Sequence, residues 1–189
     1  MRFADIREAH DFLAAHPQVQ QLELFLIDAN GVPRGKLLHR DELLAVYQHG
    51  RPLPSTILAL TINGDDVEDS GLVWEVGDAD CWTYPVPGSL CLQTWRSQPT
   101  GQLQVCMHPE RGQPATPADP RHVLAQVIER LQADGLHPVM AVELEFYLLE
   151  REGHGVKPAR AVLGEQPATR IDAYGLGKLE GMAPLFDDL

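Results

Sequence analysis

Residues 139–149, whose sequence is VMAVELEFYLL, carry the pattern on which the prediction of the fold is based. Apolar side chains occupy every second position from Met140 to Leu148. Because successive side chains of a β-strand point to opposite faces, this alternation predicts a strand with one apolar face. Glu143 and Glu145 fall together on the other face, with their Cα atoms about 6–7 Å apart.

Two carboxylates at this spacing repel each other by roughly 2–3 kcal/mol at an effective dielectric of about 20. Both side chains can point into water, which is the ordinary place for glutamate. Alternatively, a cation lies beside them, and hard divalent ions such as Mg²⁺ and Mn²⁺ prefer such oxygen ligands. The spacing of Glu143 and Glu145 alone leaves both interpretations open.

Composition excludes several classes of function. The 189 residues carry a formal charge of −12, which argues against nucleic-acid binding. No apolar run is long enough to cross a bilayer, and the N-terminus has no hydrophobic signal segment. Cys81, Cys91 and Cys106 have no C-x-x-C spacing, so reduced thiols in a cytoplasmic protein are predicted.

The N-terminal half shows signals for both helices and strands. Helical periodicity predicts helices over residues 5–15 and 41–49. Between them, alternation over residues 20–28, the turn Asn30-Gly31 and a return strand to Leu38 predict a hairpin. Further strands are predicted at residues 55–60, 90–95 and 103–107, and residues 72–84 alternate weakly.

The loop that follows Leu60 is unusually acidic. Four carboxylates, Asp65, Asp66, Glu68 and Asp69, lie within a few residues of Gly64. A solvated loop and a functional loop are equally good interpretations from the residues alone.

The C-terminal part begins after residues 109–120, a proline-rich segment that predicts a linker. Asp119-Pro120 predicts a helix start, with Leu124, Val127, Ile128 and Leu131 as its buried stripe. Residues 150–170 show no period and predict a loop, and a last helix is predicted from Gly177.

Three co-linear segments resemble the glutamine synthetase family. The strand Ala-Val-Glu143-Leu-Glu145-Phe-Tyr resembles the glutamate-containing strand that opens the catalytic domain. The segment from Phe25 to Lys36 resembles the hairpin that starts the small β-grasp domain, and residues 77–107 follow the same order as that domain. The resemblance implies an α+β fold: a β-grasp domain over 1–108, a linker over 109–120, and an incomplete start of the catalytic domain over 121–189.

The resemblance implies an ATP-dependent ligase, in which glutamate is phosphorylated on its γ-carboxylate and an amine then displaces the phosphate. By match to the family strand, Glu143 would bind a Mg²⁺ or Mn²⁺ ion nearer the ATP phosphates and Glu145 one nearer the glutamate. No other cofactor-binding residue is assigned. Relatives form homo-oligomeric rings in which a loop reaches the neighbouring active site.

In glutamine synthetases that loop carries Asp-Gly-Ser-Ser, whereas this chain has Asn63-Gly64-Asp65-Asp66. Asn63 would replace the aspartate that binds ammonium, and Asp66 the second serine. Both are candidate catalytic positions. The extra carboxylates favour a larger cationic amine, as in the γ-glutamylpolyamine (γ-glutamylputrescine) synthetases of the family, although ammonia stays open.

Several family features are missing from this sequence, including the remaining glutamate ligands and the substrate-binding arginines. The chain is therefore expected to be truncated and inactive by itself. An alternative is a non-catalytic β-grasp module that assembles with itself or an intact relative, and an unrelated acidic α+β protein is the third hypothesis.

Overall fold

The structure is a computed structural model that describes residues 3–75, 77, 79–163 and 175–189. Predictions that concern Val76, Asp78 and residues 164–174 lie outside these ranges. The chain forms two compact units, Met1–Pro138 and Val139–Leu189. The predicted boundaries at 108 and 120 stay predictions.

The first unit alternates helices and strands. Its elements are α1 (Ile6–Ala15), β1 (Gln21–Ile27), β2 (Pro33–His39), α2 (Leu43–His49), β3 (Arg51–Pro54), β4 (Asp80–Pro85), β5 (Cys91–Leu92), β6 (Thr100–His108) and α3 (Pro120–Ala133). The predicted N-terminal helices and the hairpin of β1 and β2 are thus present, with ends shifted by a few residues.

The strands of this unit form one mixed sheet in the order β2-β1-β6-β4-β3, with β5 paired to β6. β1 and β6 are parallel, and the other neighbours are antiparallel. A first strand lying beside a last, parallel strand agrees with the predicted β-grasp arrangement, and the mixture of elements confirms the α+β class.

The core of the first unit lies between this sheet and helices α1 and α2. Strand β1 buries alternate side chains, as its sequence predicts. Each buried leucine contributes about 1.5–3 kcal/mol relative to an exposed one. The central core side chains are Leu22, Leu24 and Leu26 of β1, Leu103, Val105 and Met107 of β6, Phe12 of α1 and Val46 of α2.

Two local predictions in this unit are wrong. Residues Ser55–Leu58 form a 3₁₀ turn rather than a strand, because the ladder partner β4 pairs with Arg51–Pro54 instead. Helix α3 begins at Asp119 and Pro120 as predicted, but none of its side chains is buried. Leu124 and Val127 of the predicted stripe are 53% and 46% exposed.

The predicted strand over residues 139–149 does not form. Residues 136–148 have no regular secondary structure, and no described strand pairs with them before Leu149. An alternating pattern becomes a strand only when a neighbour supplies ladder hydrogen bonds. The apolar positions are therefore exposed: Met140 and Val142 by 86%, and Leu144 by 79%.

The second unit contains a hairpin that the sequence did not predict. Its strands are β7 (Leu149–Glu152) and β8 (Gly155–Pro158), which pair antiparallel. The helices α4 (Leu176–Gly181) and α5 (Ala183–Asp188) follow, where a single helix from Gly177 was predicted. The amide of Leu163 donates to the carbonyl of Gly181 at 2.9 Å, which ties the hairpin end to α4.

Candidate active-site loop and carboxylate pair

The acidic turn, defined as residues 60–69, is closed by backbone hydrogen bonds. Leu60 and Asp66 form an isolated antiparallel bridge. The amide of Thr61 donates to the Asp65 carbonyl at 2.8 Å, and that of Gly64 donates to the Thr61 carbonyl at 3.0 Å. Gly64 has φ +94°, a conformation that glycine adopts without steric cost. The turn is an ordered structure with defined partners.

The side chain of Thr61 adds a second set of bonds inside the turn. The amide of Asp65 donates to Thr61 Oγ1 at 3.1 Å, and Thr61 Oγ1 donates to the Asp65 carboxylate at 3.4 Å. Such a hydroxyl-capped turn restricts the backbone locally. The orientation of Asp65 therefore depends on Thr61.

The hairpin of β1 and β2 anchors the turn from outside. Arg34 Nη2 donates to the carbonyl of Thr61 at 2.7 Å, and Asn30 Nδ2 donates to the carbonyl of Leu60 at 2.8 Å. Arg34 Nε also donates to Asp28 Oδ2 at 2.9 Å. One guanidinium thus connects a carboxylate at the end of β1 to the backbone of the acidic turn.

Asp28 is buried, with 1% of its surface exposed. Its Oδ1 accepts the amides of Asn30 and Val32, each at 2.9 Å. Burial acts to raise the pKa of Asp28, but the hydrogen bonds from Val32, Arg34 and Asn30 outweigh it and hold that pKa below its usual range. Asp28 is therefore a charged structural anchor at neutral pH.

The remaining acids of the turn face solvent. Asp65, Asp66, Glu68 and Asp69 are exposed, and none of them forms an ion pair with a lysine, arginine or histidine in the described part of the chain. Asn63 is exposed on the same turn. The turn accordingly presents negative charge that is not neutralised by these residues.

Glu143 and Glu145 lie in the second unit, in the segment without regular structure, and both are exposed. Among the described residues, no group of three or more His, Cys, Asp or Glu side chains is arranged to hold a metal ion. A Mg²⁺ site takes near-octahedral oxygen coordination. The two glutamates do not by themselves fit such an ion, so any metal step needs further ligands.

Of the predicted site residues, Asn63 and Asp66 lie on the same turn. Glu143 and Glu145 are close in sequence, but no regular secondary structure places them on a common face. Sequence reasoning missed the contact between Arg34 and Thr61. The signal for one half of it was present, because Asp28 and Arg34 flank the hairpin turn as an acidic and a basic residue. Nothing in the spacing indicated that Arg34 also reaches a residue 27 positions away.

Comparison with known proteins identifies the chain's relatives. Residues 117–189 match the model of the glutamine synthetase catalytic domain. The chain is 34% identical over 187 residues to gamma-glutamylputrescine synthetase of Escherichia coli strain K12, covering 97% of this chain and 39% of that protein. It is 29% identical over 150 residues to the glutamate–isopropylamine ligase of a Pseudomonas species, covering 76% and 31% respectively.

These matches show that residues 117–189 resemble the glutamine synthetase catalytic domain, and that the chain as a whole is similar to ligases of the glutamine synthetase type. The curated relatives that it resembles are named for putrescine and isopropylamine as substrates. The chain spans about two fifths of the length of the first of these relatives.

A solved structure supports the fold. A crystal structure described as a novel glutamine synthase homologue has a TM-score of 0.54 and 22% identity, covering 61% of this chain and 27% of that one. In the described residues, no helix has the length and apolar character needed to cross a membrane.

Proposed function

We propose that this chain supplies part of an ATP-dependent ligase that joins the γ-carboxylate of glutamate to a cationic amine. The observation that carries the proposal is its 34% identity, over nearly all of its length, to a gamma-glutamylputrescine synthetase. In the proposed reaction ATP phosphorylates the γ-carboxylate, and the amine displaces phosphate to leave ADP, phosphate and a γ-glutamyl amide.

The acidic turn supports a cationic acceptor. Alkyl amines are protonated at neutral pH, so a surface with several unpaired carboxylates raises their local concentration. The attacking amine must also lose a proton before it is a nucleophile. Asp66 offers a carboxylate that can accept that proton, whereas the amide of Asn63 can only form hydrogen bonds. We assign Asp66 the larger role and Asn63 a positioning role.

Two further parts of the proposal rest on the family alone. The acidic turn would act in the active site of a neighbouring subunit of a homo-oligomeric ring. Glu143 and Glu145 would each bind one of two divalent ions, Mg²⁺ or Mn²⁺, with the other ligands supplied by residues outside the described part of the chain. When bound, such ions supply polarisation and charge neutralisation at phosphoryl oxygens.

The experiment that tests this function starts from the mass of the native protein in the cells that produce it. A mass well above 20.9 kDa directs the assay to that longer protein, with glutamate, ATP and either putrescine, isopropylamine or ammonium. The expected result is phosphate release that depends on the amine and is highest with a diamine. A protein that uses ammonium far better than any alkyl amine overturns the choice of acceptor.

The chain of 189 residues is expected to be inactive alone, since its two glutamates do not complete a metal site. Turnover by purified, uncontaminated chain would refute this expectation. A matched pair of variants of the native protein, Asp66→Asn and Asp69→Asn, separates a specific role of Asp66 from a general loss of charge.

The alternative function is a non-catalytic assembly module. It is favoured by one observation: the first unit has its own hydrophobic core. A module is expected to be monodisperse at its native mass of 20.9 kDa. Concentration-dependent aggregation that charged substitutions at Met140 and Leu144 relieve would instead indicate an uncovered part of a larger enzyme. The predicted cytoplasmic location stays a prediction.

A further inference from the structure

We propose that Asp28 and Arg34, the Asp28–Arg34 clamp, are positioning residues that hold the acidic turn in the conformation that accepts the amine. This proposal rests on the proposed function, because it gives the turn its role. The contacts of the clamp lie within the first unit and do not depend on that function. The structural role of the clamp and its role in amine binding can therefore be tested separately.

Asp28 is held in place by its hydrogen bonds and is not available to a substrate. Both carboxylate oxygens have partners: Oδ1 accepts two backbone amides and Oδ2 accepts Arg34 Nε. The backbone of Asp28 is fixed as well, since its amide donates to the Val32 carbonyl and its carbonyl accepts the Gly31 amide. Its side chain is fully buried. A residue with no free oxygen acts through its neighbour.

Arg34 uses a different nitrogen of its guanidinium group for each of its two partners. Nε donates to Asp28 and Nη2 donates to the carbonyl of Thr61. A Cβ built on Gly64 would lie 3.5 Å from Arg34 Nη1, so the guanidinium also lies against the centre of the turn. The rigid planar fork of arginine permits this arrangement, while the single ammonium of lysine does not reproduce it.

Thr61, the residue that Arg34 contacts, makes most of the hydrogen bonds that hold the acidic turn together. Thr61 accepts from Gly64 and Arg34 through its carbonyl, donates to Asp65 through its amide, and contacts Asp65 again through Oγ1. The neighbouring carbonyl of Leu60 accepts from Asn30. Fixing Thr61 therefore fixes the backbone from Leu60 to the carboxylates.

The Asp28–Arg34 clamp adds little net charge beside the acidic turn. Arg34 lies next to an acidic turn, but its ion pair is with Asp28, and it contacts the turn through a backbone carbonyl. The pair is close to neutral, so the clamp orders the turn without forming an ion pair with any of its four carboxylates. An arginine paired directly with Asp65 or Asp66 would order the turn and cancel its attraction for an amine.

Positioning and simple electrostatics make different predictions for the pair Arg34→Gln and Asp28→Asn, because they agree on the sign for Asp28→Asn and disagree for Arg34→Gln. Arg34→Gln makes the region more negative, so electrostatics alone would lower the KM for a cationic amine. Asp28→Asn makes it less negative, so electrostatics alone would raise that KM. Loss of positioning raises the amine KM in both variants and leaves the KM for ATP unchanged.

The structural half is tested on the 189-residue chain by hydrogen exchange. In Arg34→Gln the amides of Thr61, Gly64, Asp65 and Val67 are expected to exchange at least about tenfold faster, while those of β1 and β6 keep their rates. Arg34→Lys should show most of this effect. The control is Arg40→Gln, because Arg40 donates to four backbone carbonyls around the end of α1 and none in the turn.

Turn amides that exchange within twofold of the unsubstituted chain in Arg34→Gln would overturn the clamp. Faster exchange at every amide in Arg34→Gln, with the same pattern in Arg40→Gln, would show that Arg34 only stabilises the fold in general. That result would also overturn the clamp.

The functional half uses the native protein in the form that the producing cells contain. A higher amine KM in both Arg34→Gln and Asp28→Asn, and not in Arg40→Gln, supports the role in amine acceptance. Opposite shifts, or unchanged amine KM despite a loosened turn, would overturn it. If the unsubstituted native protein has no ligase activity, the proposed function and the amine role fail together, while the exchange experiment still decides the clamp.

Discussion

The carboxylate of Asp119 connects α3 to the backbone of Met107 at the end of β6. Its Oδ2 accepts the amide of Met107 at 2.9 Å in a buried setting, and its Oδ1 accepts the amide of Arg121 at 2.9 Å as the N-cap of the helix. Asp119 is 2% exposed. One side chain therefore fixes both the start of a helix and the end of a central strand.

Replacing this residue is expected to be costly. Asp119→Ala removes a helix cap and leaves the buried amide of Met107 without an acceptor, so the free energy of unfolding should fall by about 2–3 kcal/mol. Urea unfolding followed by circular dichroism measures the change.

The matched control is Asp5→Ala, because Asp5 caps α1 through the amide of Arg7 but lies at an exposed site. The loss there should be clearly smaller. Equal losses for the two variants would show that the contact with Met107 contributes little.

The stability of the first unit should depend on the ionisation of Asp28. Its pKa is lower in the folded protein than in the unfolded chain. The charged carboxylate therefore contributes stability at pH values above its unfolded pKa of about 3.9. That contribution is lost as the pH falls through the folded pKa.

Unfolding by urea at a series of pH values from about 5 to about 2 tests this dependence. Asp28→Asn should flatten the fall in stability over the acidic part of the series. Glu42→Gln is the comparison, since hydrogen bonds from His39 and Arg51 also lower the pKa of Glu42, but its side chain is 40% exposed. A pH profile of Asp28→Asn that superimposes on the unsubstituted profile would contradict the prediction.

Two of the cysteines should differ strongly in reactivity. Cys106 is 1% exposed, and burial, together with the nearby Asp119, raises the pKa of its thiol. The thiolate is the reactive form, so alkylation at Cys106 should be slow in the folded chain. Cys91 is exposed and should be alkylated first.

Iodoacetamide labelling followed by peptide mass spectrometry measures both rates. In denaturant the two rates should converge, and Cys91→Ser should remove the fast phase in the folded chain. Labelling of Cys106 as fast as that of Cys91 under native conditions would be inconsistent with the buried position.

Gly50 at the end of α2 should tolerate alanine poorly for two reasons. Its φ is +75° and its ψ is −179°, a backbone region that is essentially restricted to glycine and costs an L-residue about 1–3 kcal/mol. A Cβ there would also lie 2.8 Å from the carbonyl oxygen of Thr83 and 2.8 Å from the ring of Tyr84. Such overpacking adds about 1–3 kcal/mol.

Gly112 provides the control, because its φ is +82° and a Cβ there would meet nothing within 4 Å. Thermal or urea unfolding should show that Gly50→Ala is more destabilising than Gly112→Ala. Equal destabilisation would mean that the backbone near Thr83 relaxes without cost.

The elements that sequence predicted well are those with local causes. The turn Asn30-Gly31 lies between strands that pair in register from Gln21↔His39 to Ile27↔Pro33, and the apolar alternation of β1 matches its buried side chains. The cap Asp119 and the first-turn Pro120 likewise begin α3 as predicted. Each of these signals acts within a few residues.

The elements that sequence predicted poorly depend on distant partners. Periodicity cannot show whether residues 139–148 have a neighbouring strand or whether α3 has a surface to pack on. The hairpin β7–β8 was missed because its sequence is charged. Its support comes from ion pairs instead, including those of Lys157 with Glu150 and Glu152.

The candidate site follows the same division. The acidic character of residues 65–69 was visible in the sequence, and so was the pair of an acid and an arginine around the hairpin turn. The connection from Arg34 to Thr61 could not be predicted, because it requires the hairpin and the turn to be placed in space. The roles of Asn63, Asp66, Glu143 and Glu145 stay predictions.

The parallel pairing of β1 with β6 constrains the order in which the chain can acquire its structure. Gln21 and Thr100, which lie opposite each other in the register, are 79 residues apart in sequence. The two strands at the centre of the sheet therefore depend on a contact of high contact order, which slows folding. During synthesis on the ribosome, β1 can pair with β2 but not with β6 until β6 has left the exit tunnel. Until then, the leucines of β1 can contact chaperones and other nascent chains.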